Sequence, residues 1–414
     1  MSRLAVVSLA RLALRNVLRN RRRTLITLLA LLVGVGVMVS IRGLLNGFQR
    51  AQIEGVVTGQ TGALQIHKKG YLKNVLASPL SLDLPADAEM FKKIEAVPHV
   101  TAVAPRIMFA GMVNLGDETI FLALQSVDPD REFKVCPLRR ETIVDQGRFK
   151  DGTVKDALVV TTEMDKALRD KAAKTKDPPA LLAPDKDGQL SGENVSLVGT
   201  LSLNGPGERK LGLVRLDVAQ RLLKMEGRAT ELLIAVDRLE SIPQVQASLQ
   251  QLLGPEYEVS TWEDIAKFVV AARSRQDVIV QVVASVFLLL MLLGVANTML
   301  MSVLERTREI GTMMAVGVRR GRIVALFLFE ALFIGALGGL VGGGVGSLVT
   351  ALLNYRGIQV TAPGSNVPFI IRPFVSPGYI GMIIVIAAAG ALVFALYPAW
   401  RASRLRPVQA LAGG

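Results

Sequence analysis

The chain has 414 residues, 50% of them hydrophobic, with a mean hydropathy of +0.40 and a formal net charge of +13. It is too apolar for an ordinary soluble protein and too polar to lie in lipid throughout, so it is expected to be part membrane and part soluble domain. The basic excess does not point to nucleic acid, because the arginines cluster beside apolar segments and no zinc-finger, helix-turn-helix or RNP pattern accompanies them.

At the start of the chain, Leu9, Leu12, Ala13, Val17 and Leu18 recur at helical spacing among arginines. That pattern predicts an amphipathic helix along the cytoplasmic interface over residues 1–23. Four apolar segments follow, Thr24–Ile41, Val278–Leu304, Ile323–Leu353 and Gly378–Ala399. Each reaches the ~20 residues that a helix needs to cross ~30 Å of hydrocarbon. The expected fold class is an α-helical membrane protein with four transmembrane helices plus a large mixed α/β extracytoplasmic domain inserted between helices 1 and 2.

Arginines before the first segment, between the second and third (Arg306, Arg308, Arg319, Arg320, Arg322) and after the fourth (Arg401, Arg404, Arg406) mark those regions as cytoplasmic. Both termini are then inside, with 48–261 outside as the α/β domain. The first segment is of full span length and is followed by Arg42 instead of a small-residue cleavage site, the pattern of an uncleaved anchor. Cys136 is the only cysteine, so no disulfide within the chain is possible.

Within 48–261, Thr101–Pro105, Gly111–Leu115 and Thr119–Leu124 predict strands around a turn at Gly116-Asp117. Val195–Leu201, Glu231–Val236 and Glu258–Thr261 predict further strands. Ala86–Glu95, Thr161–Lys171, Asp217–Met225 and Ile242–Leu253 predict helices. Ala172–Asn194 is rich in proline, glycine and charge and predicts a loop or projecting hairpin. Its Pro184, Asp185, Lys186, Asp187 and Gly188 form a candidate partner loop.

From Trp262 no proline or glycine interrupts the chain until Gly294, and Thr261 with Asp264 resembles a capping arrangement. A helix from Trp262 to Leu304 would be ~65 Å long at ~1.5 Å per residue and would stand partly outside the membrane. The remaining divisions expected are a coupling segment at 305–322, the third span at 323–353, a short external loop at 354–377, the fourth span at 378–399 and a cytoplasmic tail at 400–414.

The third span carries Gly335, Gly339, Gly343 and Gly338, Gly342, Gly346, two four-residue ladders that let helix backbones approach in lipid. It lacks the Gly-Lys-Ser/Thr of a phosphate loop. Glu330 lies in its first turns, where it can reach the interface or pair with an arginine.

The segment from Glu305 to Arg322 alternates both charge signs with Ile310, Met313 and Met314, which look exposed, as in a short helix that docks into a groove on another protein. Its candidate contact residues are Glu305, Arg306, Arg308, Glu309, Ile310, Gly311, Met313 and Met314.

Asn297, the run from Glu305 to Gly311, Ala315-Val-Gly-Val, Phe329-Glu-Ala, the glycine ladders and the closing Tyr397-Pro-Ala-Trp-Arg-Ala-Ser-Arg-Leu-Arg-Pro-Val-Gln-Ala-Leu resemble the C-terminal half of MacB/FtsX-type ABC transporter permeases. Arg15-Asn-Val-Leu-Arg-Asn-Arg-Arg-Arg-Thr is similar to that family's beginning. Asp128-Pro-Asp130, Val198-Gly-Thr-Leu and Tyr257-Glu-Val-Ser-Thr-Trp look closer to its lipoprotein-releasing LolC/LolE branch.

The resemblance implies a permease in the bacterial inner membrane that transmits ATP-driven motion to an external domain. It implies two cytoplasmic ABC ATPase subunits gripping Glu305–Arg322, a second permease copy or paralogue, and a periplasmic chaperone or adaptor. No cofactor is expected on this chain, with ATP and Mg held by the ATPase. Release of lipoproteins is the first function implied, MacB-like adaptor-coupled efflux the second and FtsX-like signalling to an envelope hydrolase the third. His67 and His99 lack metal-ligand spacing, Asp128-Pro-Asp130 reads as a turn before an acid/base pair, and no Walker A lysine motif is present, so a non-catalytic subunit is expected.

Overall fold

The computed structural model describes residues 11–13, 15, 16, 19, 21–115, 118–145, 147–172, 178–202, 210–361 and 368–405. The chain separates into a helical unit (Met1–Arg50, Arg273–Ile358, Ile370–Gly414) and an α/β unit (Ala51–Ala272, Gln359–Phe369).

A long helix, α1 (Arg21–Val56), continues through a π-turn at Val57–Thr61 and ends at Gly62. The α/β unit then runs β1 (Leu64–Lys68), β2 (Leu84–Pro85), α2 (Ala88–Glu95), β3 (Val100–Leu115), β4 (Glu118–Val127), α3 (Pro129–Val135), α4 (Pro137–Thr142) and β5 (Ile143–Val144). After these come β6 (Ala157–Thr161), α5 (Thr162–Ala172), β7 (Ala180–Pro184), β8 (Leu190–Asn194), β9 (Ser196–Leu201), β10 (Leu211–Arg215) and α6 (Leu216–Leu223). The unit closes with β11 (Arg228–Ala229), β12 (Glu231–Val236), α7 (Ile242–Leu253), β13 (Tyr257–Thr261) and the single turn α8 (Trp262–Ile265).

Eleven strands form one sheet in the order β13-β1-β12-β3-β4-β10-β6-β9-β5, with β7 on β3 and β8 on β7. The pairs β4–β10 and β6–β9 are parallel, which makes the sheet mixed. Side chains alternate across it, as the two-residue strand period requires. On β3, Val103, Ile107, Phe109 and Val113 enter the main core with α2, α6 and α7, while Ala102 and Ala104 face Val135 and Cys136 on the other side.

The two short strands expected at Thr101–Pro105 and Gly111–Leu115 are one strand, because β4 pairs β3 continuously from Arg106 to Leu115 and β12 carries the ladder back to Val100. Asp128 caps α3 by accepting from the Asp130 amide at 3.1 Å, so the Asp-Pro-Asp run is a helix start.

In the helical unit, α9 (Lys267–Glu305), α10 (Thr307–Ala315), α11 (Arg320–Arg356) and α12 (Pro377–Ser403) follow. The stretch expected as a plain loop between the last two holds a two-stranded ribbon, β14 (Ile358–Thr361) and β15 (Pro368–Ile371). Four helices, Thr24–Thr61, Lys267–Glu305, Arg320–Arg356 and Pro377–Ser403, are long and apolar enough to cross a membrane. The uninterrupted helix expected from Trp262 breaks at Ala266, whose φ of −92° and ψ of 49° are not helical. A capping box between Thr261 and Asp264 fixes the turn before the break, and Trp262, Ala266 and Val269 all lie in the α/β core.

The two glycine ladders of α11 face two different helices. A β-carbon on Gly338, Gly342 or Gly346 would meet α1 at Leu31, at Leu32 and Val35, or at Gly36 and Val39. One on Gly335, Gly339 or Gly343 would meet α12 at Ala387, Ala388 and Ala391, or at Ile380 and Ile384. Along α12 the residues turned inward are small, with Ala387, Ala391, Ala395 and Ala399 all fully buried. Ladder and alanine stripe together bring backbones close enough for dispersion to hold helices that lipid would solvate equally well.

Candidate coupling site

Residues 11–13, 15, 16 and 19 are helical, with Ala13 buried and Leu12 exposed. Leu9, Val17 and Leu18, which carried part of the amphipathic pattern, lie outside the described residues. From this segment Asn16 and Arg19 meet the region around α10.

Between α9 and α10 the chain turns at Arg306, with φ −102° and ψ 18°. The Arg306 side chain is buried and donates from Nη1 to Glu330 Oε1 at 2.9 Å and from Nε to Glu309 Oε2 at 3.0 Å. Glu330, on α11, is also buried and accepts from Asn16 Nδ2 at 2.7 Å. Glu309 accepts a second, short bond from Arg19. Three segments distant in sequence thus converge on two carboxylates.

The electrostatics follow from that convergence. Burial works against the charge on Arg306, but Glu330 and Glu309 outweigh it and hold the guanidinium above its ordinary range. Burial likewise opposes ionisation of Glu309. Its hydrogen bonds from Arg306 and Arg19 prevail and keep its carboxyl below the usual range.

The far end of α10 is closed by its own sequence. Gly317 has φ +93°, Val318 N donates to Met313 O at 3.0 Å and Gly317 N to Met314 O at 3.1 Å. This is the Schellman arrangement, in which glycine takes the left-handed position and two orphan carbonyls are satisfied. Ala315-Val-Gly-Val is therefore a helix stop that points the chain into α11.

The eight residues expected to contact a partner divide by helical phase. Ile310 and Gly311 are buried, and Met313 and Met314 are half-buried against the core of the helical unit. The expectation that Ile310 and the two methionines face outward is corrected: they occupy the i, i+3, i+4 stripe turned into the core of the helical unit. Arg306 also turns inward. Glu305, Arg308 and Glu309 face out, joined by Thr312, Ala315 and Val316. Val316, 81% exposed, is an apolar tip that sequence reasoning missed.

The candidate loop Pro184–Gly188 is the turn of the β7–β8 hairpin, with Pro184, Lys186, Asp187 and Gly188 exposed and Asp185 buried. Asp185 accepts from the amides of Asp187 and Gln189 and pairs with Lys224 at 2.7 Å. Lys186 reaches Asp83 at 2.6 Å, and its amide donates to Leu223 O. The bond from Lys224 lowers the Asp185 pKa.

Two protein families match this architecture: the MacB-like periplasmic core domain over residues 24–252 and the FtsX-like permease C-terminal domain over residues 282–407. The chain is a MacB/FtsX-type ABC transporter permease. The FtsX-like match contains α10, Glu330 and both ladders of this permease. Membership carries with it a membrane location.

Among relatives, the permease is 26% identical over 416 residues to the macrolide export ATP-binding/permease protein MacB of Neisseria gonorrhoeae, covering 97% of this chain and 60% of that one. It therefore spans about three-fifths of the length of the MacB proteins it matches. It is 25% identical to an ABC transporter permease of Methanocaldococcus jannaschii, covering 97% of this chain and 96% of that one. The periplasmic region of MacB from Actinobacillus actinomycetemcomitans superposes with a TM-score of 0.34 at 10% identity, covering 52% of this chain and 96% of that one.

Proposed function

We propose that this permease receives the stroke of two cytoplasmic ATPase subunits on the outward side of α10 and delivers it to the α/β domain on the far side of the bacterial inner membrane. Both termini are cytoplasmic in this reading, ATP and Mg are held by the ATPase, and the chain is a non-catalytic subunit. A second permease copy or paralogue completes the machine.

The observation that carries the reading is the division of α10. Its inner side is fastened through Arg306, Glu330 and Ile310, while Arg308, Thr312 and Val316 are left outward. A helix held in this way passes force from its free side into the bundle. A topology signal alone would need neither the buried ion pair nor an exposed apolar tip.

For cargo, the names of the curated relatives speak of macrolide export and so favour the export reading. Lipoprotein release, the first function implied by the resemblance, has no such support in those names. Signalling to an envelope hydrolase would use the same stroke.

Affinity purification from the native membrane tests the coupling. The ATPase should co-purify with the wild-type chain and be lost from Arg308→Glu combined with Val316→Asp, with thermal stability unchanged. Retention of the ATPase by that variant overturns the reading. What else is recovered, an adaptor with an outer-membrane channel, a lipidated protein or a hydrolase, decides among the cargo readings.

A further inference from the structure

The end of α1 stops inside the α/β unit on a π-turn, a rare element that is enriched at functional positions. The last carbonyls of a helix have no partner within it. Here three of them are taken by side chains of the sheet and its flanking helices. Arg106 Nη1 donates to Gln60 O at 2.9 Å, Gln65 Nε2 to Thr61 O at 2.9 Å and Cys136 Sγ to Val57 O at 3.8 Å. Gly62 then turns the chain with φ +68°, and a β-carbon there would stand 3.1 Å from Ile234 O.

Arg106 is itself fixed from both sides. Its Nη2 makes a short bond to Glu132 on α3, and its Nη1 lies 3.7 Å from Glu231 on β12. Arg139 of α4 stands 3.8 Å from the same Glu132 carboxylate. All four side chains are buried, two cations against two anions. Burying such a cluster is costly, and replacing it by apolar residues would often be neutral or stabilising, so its presence is weak evidence for a stabilising role. Its geometry instead serves the helix end, because the Nη2 bond to Glu132 holds the guanidinium with Nη1 on the Gln60 carbonyl.

From this geometry we infer that Arg106 is a positioning residue that clamps the π-turned end of α1 to the sheet, so that residues 51–61 and the α/β domain turn as one rigid body with no linker between them. The consequence for transport rests on the function proposed above; the clamp itself does not. A pull on α1 would reach β3 and α3 directly through Arg106, without being absorbed by loop motion.

The test uses the full-length chain in lipid nanodiscs, with spin labels on Glu54→Cys and Lys134→Cys, which lie on the two clamped elements and are both exposed. Buried Cys136 is left in place. Distance measurement should give a single narrow peak. Arg106→Met combined with Glu132→Gln, which removes one cation and one anion together, should lose that peak while amide exchange in β12 stays protected. Should this double variant not fold, Gln65→Leu, which removes only the bond to Thr61, should broaden the same peak.

A broad distribution in the unaltered chain, or a narrow one that survives in the folded variants, overturns the clamp whatever the ATPase result. Loss of the peak without any ATPase on co-purification upholds the clamp and removes the transport reading.

Discussion

The backbone of Gly346 passes so close to that of Gly36 that a β-carbon on Gly346 would lie 2.6 Å from the Gly36 carbonyl oxygen. Ser40 Oγ closes the same junction, donating to Gly36 O at 2.9 Å and reaching Gly346 O at 3.4 Å. Backbone faces backbone, so nothing can rotate away to make room. Gly346→Leu should force α1 from α11 and lower the detergent melting temperature, with a cost of about 1–3 kcal/mol as for other overpacked sites. Gly344→Leu, where nothing stands within 4 Å, should leave it unchanged. Equal shifts for the two variants would contradict the packing assigned to the ladder.

Removing Glu330 leaves Arg306, only 8% exposed, with Glu309 as its one remaining carboxylate partner. Breaking one partner of such a pair costs on the order of 3 kcal/mol. Glu330→Ala should therefore loosen α10 and speed tryptic cleavage at Arg308. Arg306→Met with Glu330→Met should recover most of the melting temperature, because no uncompensated charge remains, while leaving Glu309 held by Arg19 alone. A double variant less stable than Glu330→Ala would show that the pair contributes net stability.

Asp237 should contribute to the acid sensitivity of the α/β unit. The hydrogen bond from His99 Nδ1, at 2.9 Å, is the largest influence on its carboxyl, and with the bond from Ser241 it overcomes partial burial to bring the pKa from 3.8 down to about 2. A depressed carboxylate contributes stability that is fully present above its unfolded pKa and lost as pH falls through its folded one. Unfolding followed between about pH 4 and 2 should steepen in the wild type and flatten in Asp237→Asn. The same slope in both would show that other carboxylates dominate.

Cys136 should be inert. Burial first, then the nearby Glu132 carboxylate, push its thiol up to about 12 against the pull of Arg106 and Arg139. The thiolate is the reactive form, so maleimide at about pH 8 should leave the folded chain unlabelled and label it fully in denaturant. Labelling of the folded protein would show that the α3–α4 layer opens.

Legibility in the sequence followed how local each signal was. The number of apolar helices, the Glu231–Val236 strand and the Ile242–Leu253 helix are as expected, because hydropathy and a proline near the helix start are local features, whereas the first two apolar helices run 11–20 residues past their expected bounds. Ala157–Thr161 escaped notice because it is buried on both faces, Leu158 and Val160 in one core and Ala157 and Val159 in another, so it lacks the alternation that marks a half-exposed strand.

In the coupling site, the pairing of Glu330 with an arginine was expected, but its identity as Arg306 was not. The approach of Asn16 across 314 residues has no local trace. Ile310 was misplaced because a nine-residue helix with apolar residues on two sides does not declare its phase. The break at Ala266 carries neither proline nor glycine to announce it.

The junction of α1 with α11 also sets an order of events during synthesis. Ser40 and Gly346 are 306 residues apart. At a ribosome's ~5–20 residues per second that interval lasts roughly 15–60 s. Throughout it, α1 stands in the bilayer with Gly36 facing acyl chains, and the groove that receives it does not yet exist. The earliest of these four spans in chain order is therefore among the last to be packed, and a substitution at Gly36 would act on late assembly in the membrane, not on insertion.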